Sequence, residues 1–519
     1  MFLSPTPLVG SPQRLTAIQD HSSVKERGPP DNRNMSMVIC LGDQPILLGF
    51  MLSSIKKDHD TDTTFAKRHH FRTLADPGWI YIAFPIPLTT GCLFQLLDKS
   101  STAWLSITPF LSTVLALVSL ALGQHRGWKS LLTLLIILSL LLVASSLLDP
   151  ETILSRHAMW LSETLIAYGG MLYLLMHHLR RNLSYGEASI LAQSISLLMV
   201  NAAHRIFQAG VVPPFLALVE GSCIGLLPVM LITGTSIGHR SSSRSRFLTF
   251  FTVLFTFVGV GMYPWLQVAW KHEPILWLLK YLLAGGWSKI ILCIHWIVCA
   301  CFFILTNRPT LHRTHIQVNS QRKWFHLAVV VLFVPGILVD RAFLSLSLAA
   351  ALAFFFLLEG YRSGRVPPWG QALNGYFREF ADVKESLERG SAVLSHIYLL
   401  LGVSIPIWLP GSTLSAYLGI LTLGVGDALA SIVGKRWGYH TWAGSLKSME
   451  GTVAFVLSIL VTTLLLTLFS EKIILSGTYQ WIVYTVCISL TGMLEAVSLQ
   501  NDNLIIPIYA WLVLNLSGL

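Results

Sequence analysis

The sequence predicts an all-α, polytopic integral membrane protein with about 13–16 transmembrane helices. Three observations carry that reading. Hydrophobic residues make up 53% of the 519 and charged residues only 12%, about half the charged share of a soluble globular protein. Such an apolar excess does not fit into one soluble core, because cores stop growing beyond ~250–300 residues. From Trp79 onward, apolar runs alternate with short polar loops, and runs of ~17–25 residues are long enough to cross ~30 Å of hydrocarbon as helices. Together these exclude a soluble enzyme, a nucleic-acid-binding protein and a disordered scaffold as readings of the whole chain.

Thirty-six Lys and Arg against 26 Asp and Glu give a net charge of +10. In a membrane protein that excess collects in cytoplasmic loops. No basic, aromatic-rich polar domain of the kind that binds nucleic acid is visible. The seven cysteines, Cys40, Cys92, Cys223, Cys293, Cys299, Cys301 and Cys487, form no C-x-x-C pair and mostly lie in apolar runs. They read as small buried hydrophobes.

Taken in order, residues 1–34 are polar, with Pro29-Pro30 and scattered charges. They lack a signal core and read as a disordered leader. A weak apolar stretch at 35–55 and a charged connector from Lys56 to Arg72 complete a largely disordered region 1–78. Spans are expected at 79–97, 102–123, 128–147, 158–179, 187–208, 211–236, 247–270 and 287–306, making an N-terminal membrane region 79–306 of unassigned role. A C-terminal membrane domain, 307–519, holds spans at 324–340, 342–360, 392–409, 412–434, 451–470, 475–498 and 503–518.

Loop charges orient this second region. Loop 307–323 carries Arg308, Arg313, Arg322 and Lys323. Loop 361–391 carries Arg362, Arg365, Arg378, Lys384 and Arg389, and segment 435–450 carries Lys435, Arg436 and Lys447. The intervening loops hold only Arg341 and Lys472, so twelve basic residues stand against two. The positive-inside rule places the three basic loops in the cytosol. Parity then brings Gln500-Asn501-Asp502-Asn503 to the same face. Four polar segments, far apart in sequence, are expected to meet there.

Those segments carry the residue types of a phosphate-handling site. In the run Gly424 to Gly438, Asp427 sits near the end of an apolar helix, where a charge needs a partner or a metal. Gly424, Gly426, Gly434 and Gly438 allow close backbone approach, which suits either a phosphate cradle or helix packing. Gly444-Ser445-Leu446-Lys447-Ser448-Met449-Glu450-Gly451 opens the next helix. A Lys, a hydroxyl and backbone N–H groups at a helix N-terminus form an anion site. Arg322-Lys323-Trp324-Phe325-His326 offers cations and an acid/base imidazole, or else an interfacial anchor. Glu495 lies inside an apolar helix and Asp502-Asn503 at its end. Their oxygens are the kind Mg²⁺ prefers, although Asp502 also suits a cap on the next helix. His396 is either a site residue or a structural histidine, and Glu187 is at least a first-turn acid favoured by the helix dipole.

Together these segments resemble the dolichol kinase family. The run Asp427-x-x-Ala430-x-x-x-Gly434-x-x-x-Gly438, followed by Lys447-Ser448-x-Glu450-Gly451, is similar to that family's nucleotide-binding signature. Arg322-Lys323-x-x-His326, the stretch Ser395 to Gly402 with Pro406 to Leu409, and Ser184 to Ala188 extend the likeness. It is strong over 320–519, faint over 184–200 and absent over 1–80. Where the family has Lys-Lys-Thr, this chain reads Leu446-Lys447-Ser448; where it has Asp-x-Arg-Asp, this chain reads Glu385-Ser386-Leu387-Glu388-Arg389.

The resemblance implies a CTP-dependent lipid kinase of the endoplasmic reticulum membrane, with its site facing the cytosol. Such an enzyme moves the γ-phosphoryl group of CTP to dolichol, making dolichyl phosphate for N-glycosylation and related mannosylation and GPI pathways. It implies CTP binding by Gly434, Lys435, Arg436, Gly438, Gly444, Ser445, Lys447, Ser448, Glu450 and Gly451. A divalent cation, expected to be Mg²⁺, falls to Asp427, Glu495, Asp502 and Asn503. Asp427, His326, Arg322 and Lys323 take catalytic roles, with the general base open between Asp427 and His326. Dolichol, CTP and the bilayer are the implied partners, with no nucleic acid.

Within enzymes, a phytol-type kinase or a CDP-diacylglycerol synthase is the alternative. The Pro-Gly-His-Gly-Gly run of the synthases is absent, and Asp20, Glu26 and Asp31 do not suit an acid-poor plastid transit peptide. In a different class, a transporter would use intramembrane Glu220, His204, Arg205 and Asp427. It should show paired broken helices in two related halves, whereas the polar residues here crowd into one.

Overall fold

The computed structural model describes residues 153–519 apart from 180–181, 209–211, 237–241, 307–314, 380–391, 410, 443–444, 446, 470–474, 476 and 499. The leader 1–78 and the expected spans 79–97, 102–123 and 128–147 lie outside the described residues. Thirteen helices are seen among the described residues. The first six are α1 Ile153–His178, α2 Tyr185–Gln208, α3 Pro214–Ser236, α4 Ser243–Trp270, α5 Pro274–Ala284 and α6 Gly286–Thr306. Then come α7 His315–Ser363, α8 Gly370–Glu379, α9 Ser395–Trp408, α10 Thr413–Trp437, α11 Met449–Phe469, α12 Thr478–Val497 and α13 Asp502–Leu516.

Among the described residues, eight helices are long and apolar enough to cross a membrane. The expectation of an all-α, polytopic membrane protein is therefore met. Each expected span from 158 to 518 coincides with a helix. The pair 324–340 and 342–360 are the two arms of α7, broken at Asp340, whose backbone leaves the helical region (φ −152°, ψ 91°). Asp340 then starts the second arm by accepting the Phe343 N–H at 2.9 Å. A Cβ on Gly336 would lie 3.0 Å from the Leu344 side chain, so the arms fold back tightly on each other. Both ends of α7 thereby reach the same end of the bundle. The short helices α5 and α8 were not expected.

Local chemistry sets the other boundaries. Ser242, Glu273, Ser412 and Asn501 each accept a backbone N–H at the start of α4, α5, α10 and α13, as capping residues do. Arg341 donates to the Ile407 carbonyl at 2.8 Å and the Leu409 carbonyl at 3.2 Å, satisfying carbonyls at the C-terminal end of α9. The core runs through α9, α10 and α13, where Tyr398, Tyr417, Ile420, Trp511 and Leu514 are buried. By contrast α4, α6 and α11 keep apolar side chains such as Phe255, Ile297 and Val461 on their outer faces, as helices facing lipid do.

One departure from α geometry positions the site. Ile420–Asp427, inside α10, is a π-helical turn that ends on Asp427. Single π turns inside α-helices frequently mark functional positions. This turn packs against α7, α11 and α13, and Gly424 fits directly against the α7 backbone, where a Cβ would lie 3.2 Å from the His326 carbonyl oxygen.

Candidate active site

The π turn presents two groups to α7. The Leu423 carbonyl oxygen lies 2.7 Å from His326 Nδ1. A carbonyl only accepts, so Nδ1 carries the proton and Nε2 is the ring's unprotonated nitrogen in the neutral form. That Nε2 lies 3.5 Å from Asp427 Oδ2, and His326 itself is buried. The sequence paired neither atom with the other; the structure makes them neighbours.

Asp427 also belongs to a three-carboxylate cluster. One oxygen each from Asp427, Glu495 and Asp502 lies within 4.8 Å of the others. Glu495 projects from the end of α12 and is 7% exposed, whereas Asp502 opens α13 and is 30% exposed. The cap of α13 is Asn501, not Asp502, which leaves the Asp502 carboxylate to the cluster. Asp502 Oδ1 is buried without a hydrogen-bond partner. All donors are hard oxygens, so the residues fit a small divalent cation such as Mg²⁺.

Lys447 closes this group. Its ammonium donates to Glu495 Oε1 at 2.6 Å, the Glu495 carbonyl at 2.7 Å and Asp502 Oδ2 at 2.9 Å. An ammonium has three N–H donors, so all three are engaged. Burial alone would lower the Lys447 pKa, but Asp502 and Glu495 together outweigh it and hold the ammonium above the ordinary lysine range. Ser445 Oγ donates to the Ala496 carbonyl at 2.7 Å. The segment before α11 thus caps the C-terminus of α12 with a hydroxyl and a cation.

The remaining expected residues divide. Ser448 accepts the Gly451 N–H at 3.1 Å, starting α11. A Cβ on Gly434, Gly438 or Gly451 would come within 2.7–3.0 Å of the Ser448 side chain. These glycines therefore form a close seam between α10 and α11, the packing alternative that the sequence left open. Glu450 is held by His440, through its backbone N–H at 3.1 Å and its Nδ1 at 2.7 Å. Lys435 and Arg436 are exposed on the last turn of α10, with Arg436 over the Trp437 ring at 5.3 Å. They stand ~12 Å along the helix axis beyond Asp427. Asn503 is buried beside the cluster at the start of α13. The side chains of Arg322 and Lys323, and the whole of Gly444, lie outside the described residues.

Similarity to known proteins places the chain in a family. The dolichol kinase family model matches residues 157–400. Human (Homo sapiens) dolichol kinase is 31% identical over 377 residues, covering 68% of this chain and 68% of that protein. This chain belongs to the dolichol kinase family. Dolichol kinase EVAN of Arabidopsis thaliana is 29% identical over 438 residues, 79% of this chain and 74% of that protein. The likeness to a phytol kinase of Synechocystis sp. is confined to 125 residues, 22% of this chain. No solved structure matches. The family match begins in α1, so the N-terminal helices, where the sequence likeness looked faint, are part of what the family shares.

A second polar cluster escaped the sequence reading. Arg362, counted there among loop charges, is 1% exposed at the end of α7. Its guanidinium donates to Glu359 Oε2 at 2.8 Å, Glu359 Oε1 at 2.5 Å and Asn374 Oδ1 at 2.6 Å. Glu359 Oε1 also accepts the Val393 N–H at 2.8 Å. A Glu three residues before an Arg at the end of an apolar run was the available signal. His396 packs between Phe355 and Phe377, with ring centroids at 4.9 and 5.3 Å, and its nitrogens lack hydrogen-bond partners. It lies with this cluster and not with the carboxylates. His204, named for a transporter pathway, is held 2.6 Å from Glu163.

Proposed function

We propose that this chain transfers the γ-phosphoryl group of CTP to the terminal hydroxyl of dolichol, at a site of the endoplasmic reticulum membrane open to the cytosol. The observation that carries the reading is the convergence of Asp427 and His326, inside α10 and α7, with Glu495, Asp502 and Lys447 at the neighbouring helix ends of an apolar bundle. A long polyprenol keeps its tail in hydrocarbon and its hydroxyl at headgroup level. A soluble nucleotide meets it only where polar groups line such an interface. Family membership supplies the substrate pair.

Phosphoryl transfer asks mainly for positioning and charge neutralisation. The dolichol oxygen forms a bond to the γ-phosphorus, the bond from that phosphorus to the bridging oxygen breaks, and CDP leaves. In this reading His326 Nε2 takes the hydroxyl proton, a role supported by the Leu423 carbonyl holding the proton on Nδ1. Asp427, 3.5 Å away, then stabilises the imidazolium. Asp427, Glu495 and Asp502 hold a divalent cation, with Asn503 next to them; when bound, that cation neutralises triphosphate charge. Lys447 offsets the negative charge of two of the three carboxylates, so the pocket admits an anionic nucleotide. The CTP phosphates are assigned to Lys447, Ser448, Lys435, Arg436 and the backbone N–H groups near Gly434, Gly438 and Gly451, and Arg322 and Lys323 to steadying the transferring group.

The deciding experiment follows radiolabel from γ-labelled CTP, and from ATP, into dolichol and into phytol in membranes holding this chain. Label on dolichol from CTP is expected. Preference for ATP, or labelling of phytol alone, rejects the reading.

A further inference from the structure

Among the described residues, helices α1–α6 contribute no carboxylate to the cluster, yet the turn between α1 and α2 reaches the connector beside it. Ser184, between α1 and α2, donates from Oγ to Gln500 Oε1 at 2.8 Å across 316 residues of sequence. Ser184 is 0% and Gln500 2% exposed, so solvent does not stand in for either partner. The hydroxyl is aimed by its other contact. Ser184 Oγ accepts the Glu187 N–H at 3.1 Å, and Glu187 Oε2 accepts the Ser184 N–H at 3.0 Å. This is a capping box in which both orphan donors are satisfied. With Oγ accepting there, its single O–H is left for Gln500. Two residues earlier, Asn182 braces the same turn by donating to the Ala392 carbonyl and accepting the Ala392 N–H at 3.5 Å.

Gln500 stands in the connector between α12, which bears Glu495, and α13, which bears Asp502. The connector is held at three points: Gln500 N–H to Ser498 Oγ at 3.2 Å, Asn503 N–H to Asn501 Oδ1 at 3.1 Å, and Ser184 from outside. The last of these ties the connector to the turn between α1 and α2. We infer that the Ser184 turn is a strut for this connector, and that Ser184 and Gln500 are positioning residues that set the spacing of Glu495 and Asp502 and hence divalent-cation binding. The inference rests on the proposed carboxylate site and assigns the N-terminal helices a role in it.

The test uses full-length protein in detergent and reads Mn²⁺ binding from the free-ion electron paramagnetic resonance signal, alongside kinetics. Gln500→Met keeps the volume and removes the hydrogen bond. It is expected to weaken Mn²⁺ binding ~10-fold, as loss of a ligand-orienting partner does, and to lower kcat while the KM for dolichol stays. Ser184→Thr, which keeps the hydroxyl, should behave as wild type. Wild-type Mn²⁺ affinity and kcat in folded Gln500→Met overturn the strut. If that variant does not accumulate, Ser184→Gly decides, since glycine still starts a helix but lacks the hydroxyl; wild-type Mn²⁺ affinity there overturns it equally. Asp502→Asn separates the two layers. Undiminished Mn²⁺ binding in Asp502→Asn removes the carboxylate site itself, whereas loss there without loss in Gln500→Met removes only the strut.

Discussion

Lys447 Nζ lies 2.6 Å from Glu495 Oε1, and the same ammonium reaches Asp502 Oδ2 at 2.9 Å. A cation expected to wait for phosphate is thus already engaged by the acids around it. Charge-assisted hydrogen bonds of this kind contribute about 1.5–3 kcal/mol each.

Replacing Lys447 should therefore act twice. Lys447→Ala is expected to raise the apparent KM for CTP more than that for dolichol, because the carboxylates left behind repel the triphosphate. Leu446→Lys, which restores the family's second cation, should lower the CTP value. Steady-state kinetics with both substrates varied measures this. An unchanged CTP KM in both variants rejects the placement of the nucleotide.

The Lys447 pairing also fixes a pH dependence. Because the folded-state pKa is raised, its stabilisation is complete below the unfolded value of about 10.4 and is lost as pH climbs from there through the folded value. Thermal melts of wild type and Lys447→Met should differ by a constant amount from about pH 7 to pH 10. A gap that closes already near neutral pH contradicts the pairing.

Asp427→Asn should cost at least ~10²-fold in turnover while the protein still inserts and folds, since it removes a charge from both the cation cluster and the His326 pair. Near-normal turnover by the purified variant takes Asp427 out of the mechanism.

His326→Gln is expected to lower kcat by ~10²-fold or more, within the range for loss of a general base, and to leave the KM for CTP within about twofold. An unchanged kcat would assign the proton to another group.

Sidedness can be read with single cysteines in sealed microsomes. Tyr439→Cys and Trp369→Cys, both at strongly exposed positions near the site end of the bundle, should react with an impermeant maleimide from the cytosolic side. Lys271→Cys, at the turn between α4 and α5, should react only after detergent is added. Protection of Tyr439→Cys would reverse the orientation.

The helices were legible because apolar runs of membrane length have few other outcomes, and the kink at Asp340 fell at the expected break between two spans. Asp427, Glu495 and Asp502 were legible because carboxylates in apolar surroundings need partners. The contact of His326 with Leu423 was not, since it depends on the π turn at Ile420–Asp427; the Gly-Val-Gly there recurs in the other described π segment, Phe257–Met262, and so does not by itself mark the site. The packing of Gly434 and Gly438 against Ser448 was not legible, because glycines at that spacing suit a close helix seam and a phosphate cradle alike. Arg362 was misread because its partner Glu359 sits inside an expected span, where an acid is usually costly unless paired.

The connector carrying Gln500 has a consequence for biogenesis. His326, Asp427, Lys447 and Asp502 are made in that order, and a ribosome adds ~5–20 residues per second. A nascent chain that has delivered α12 to the bilayer holds Glu495 and Lys447 but still lacks the acid that completes the trio. Docking of α13 against α9 is then the closing event, and it is a tight one: a Cβ on Gly402 would lie 1.9 Å from the Asn503 carbonyl oxygen. On the proposed site, that helix must leave the insertion machinery and seat itself before the three carboxylates can meet.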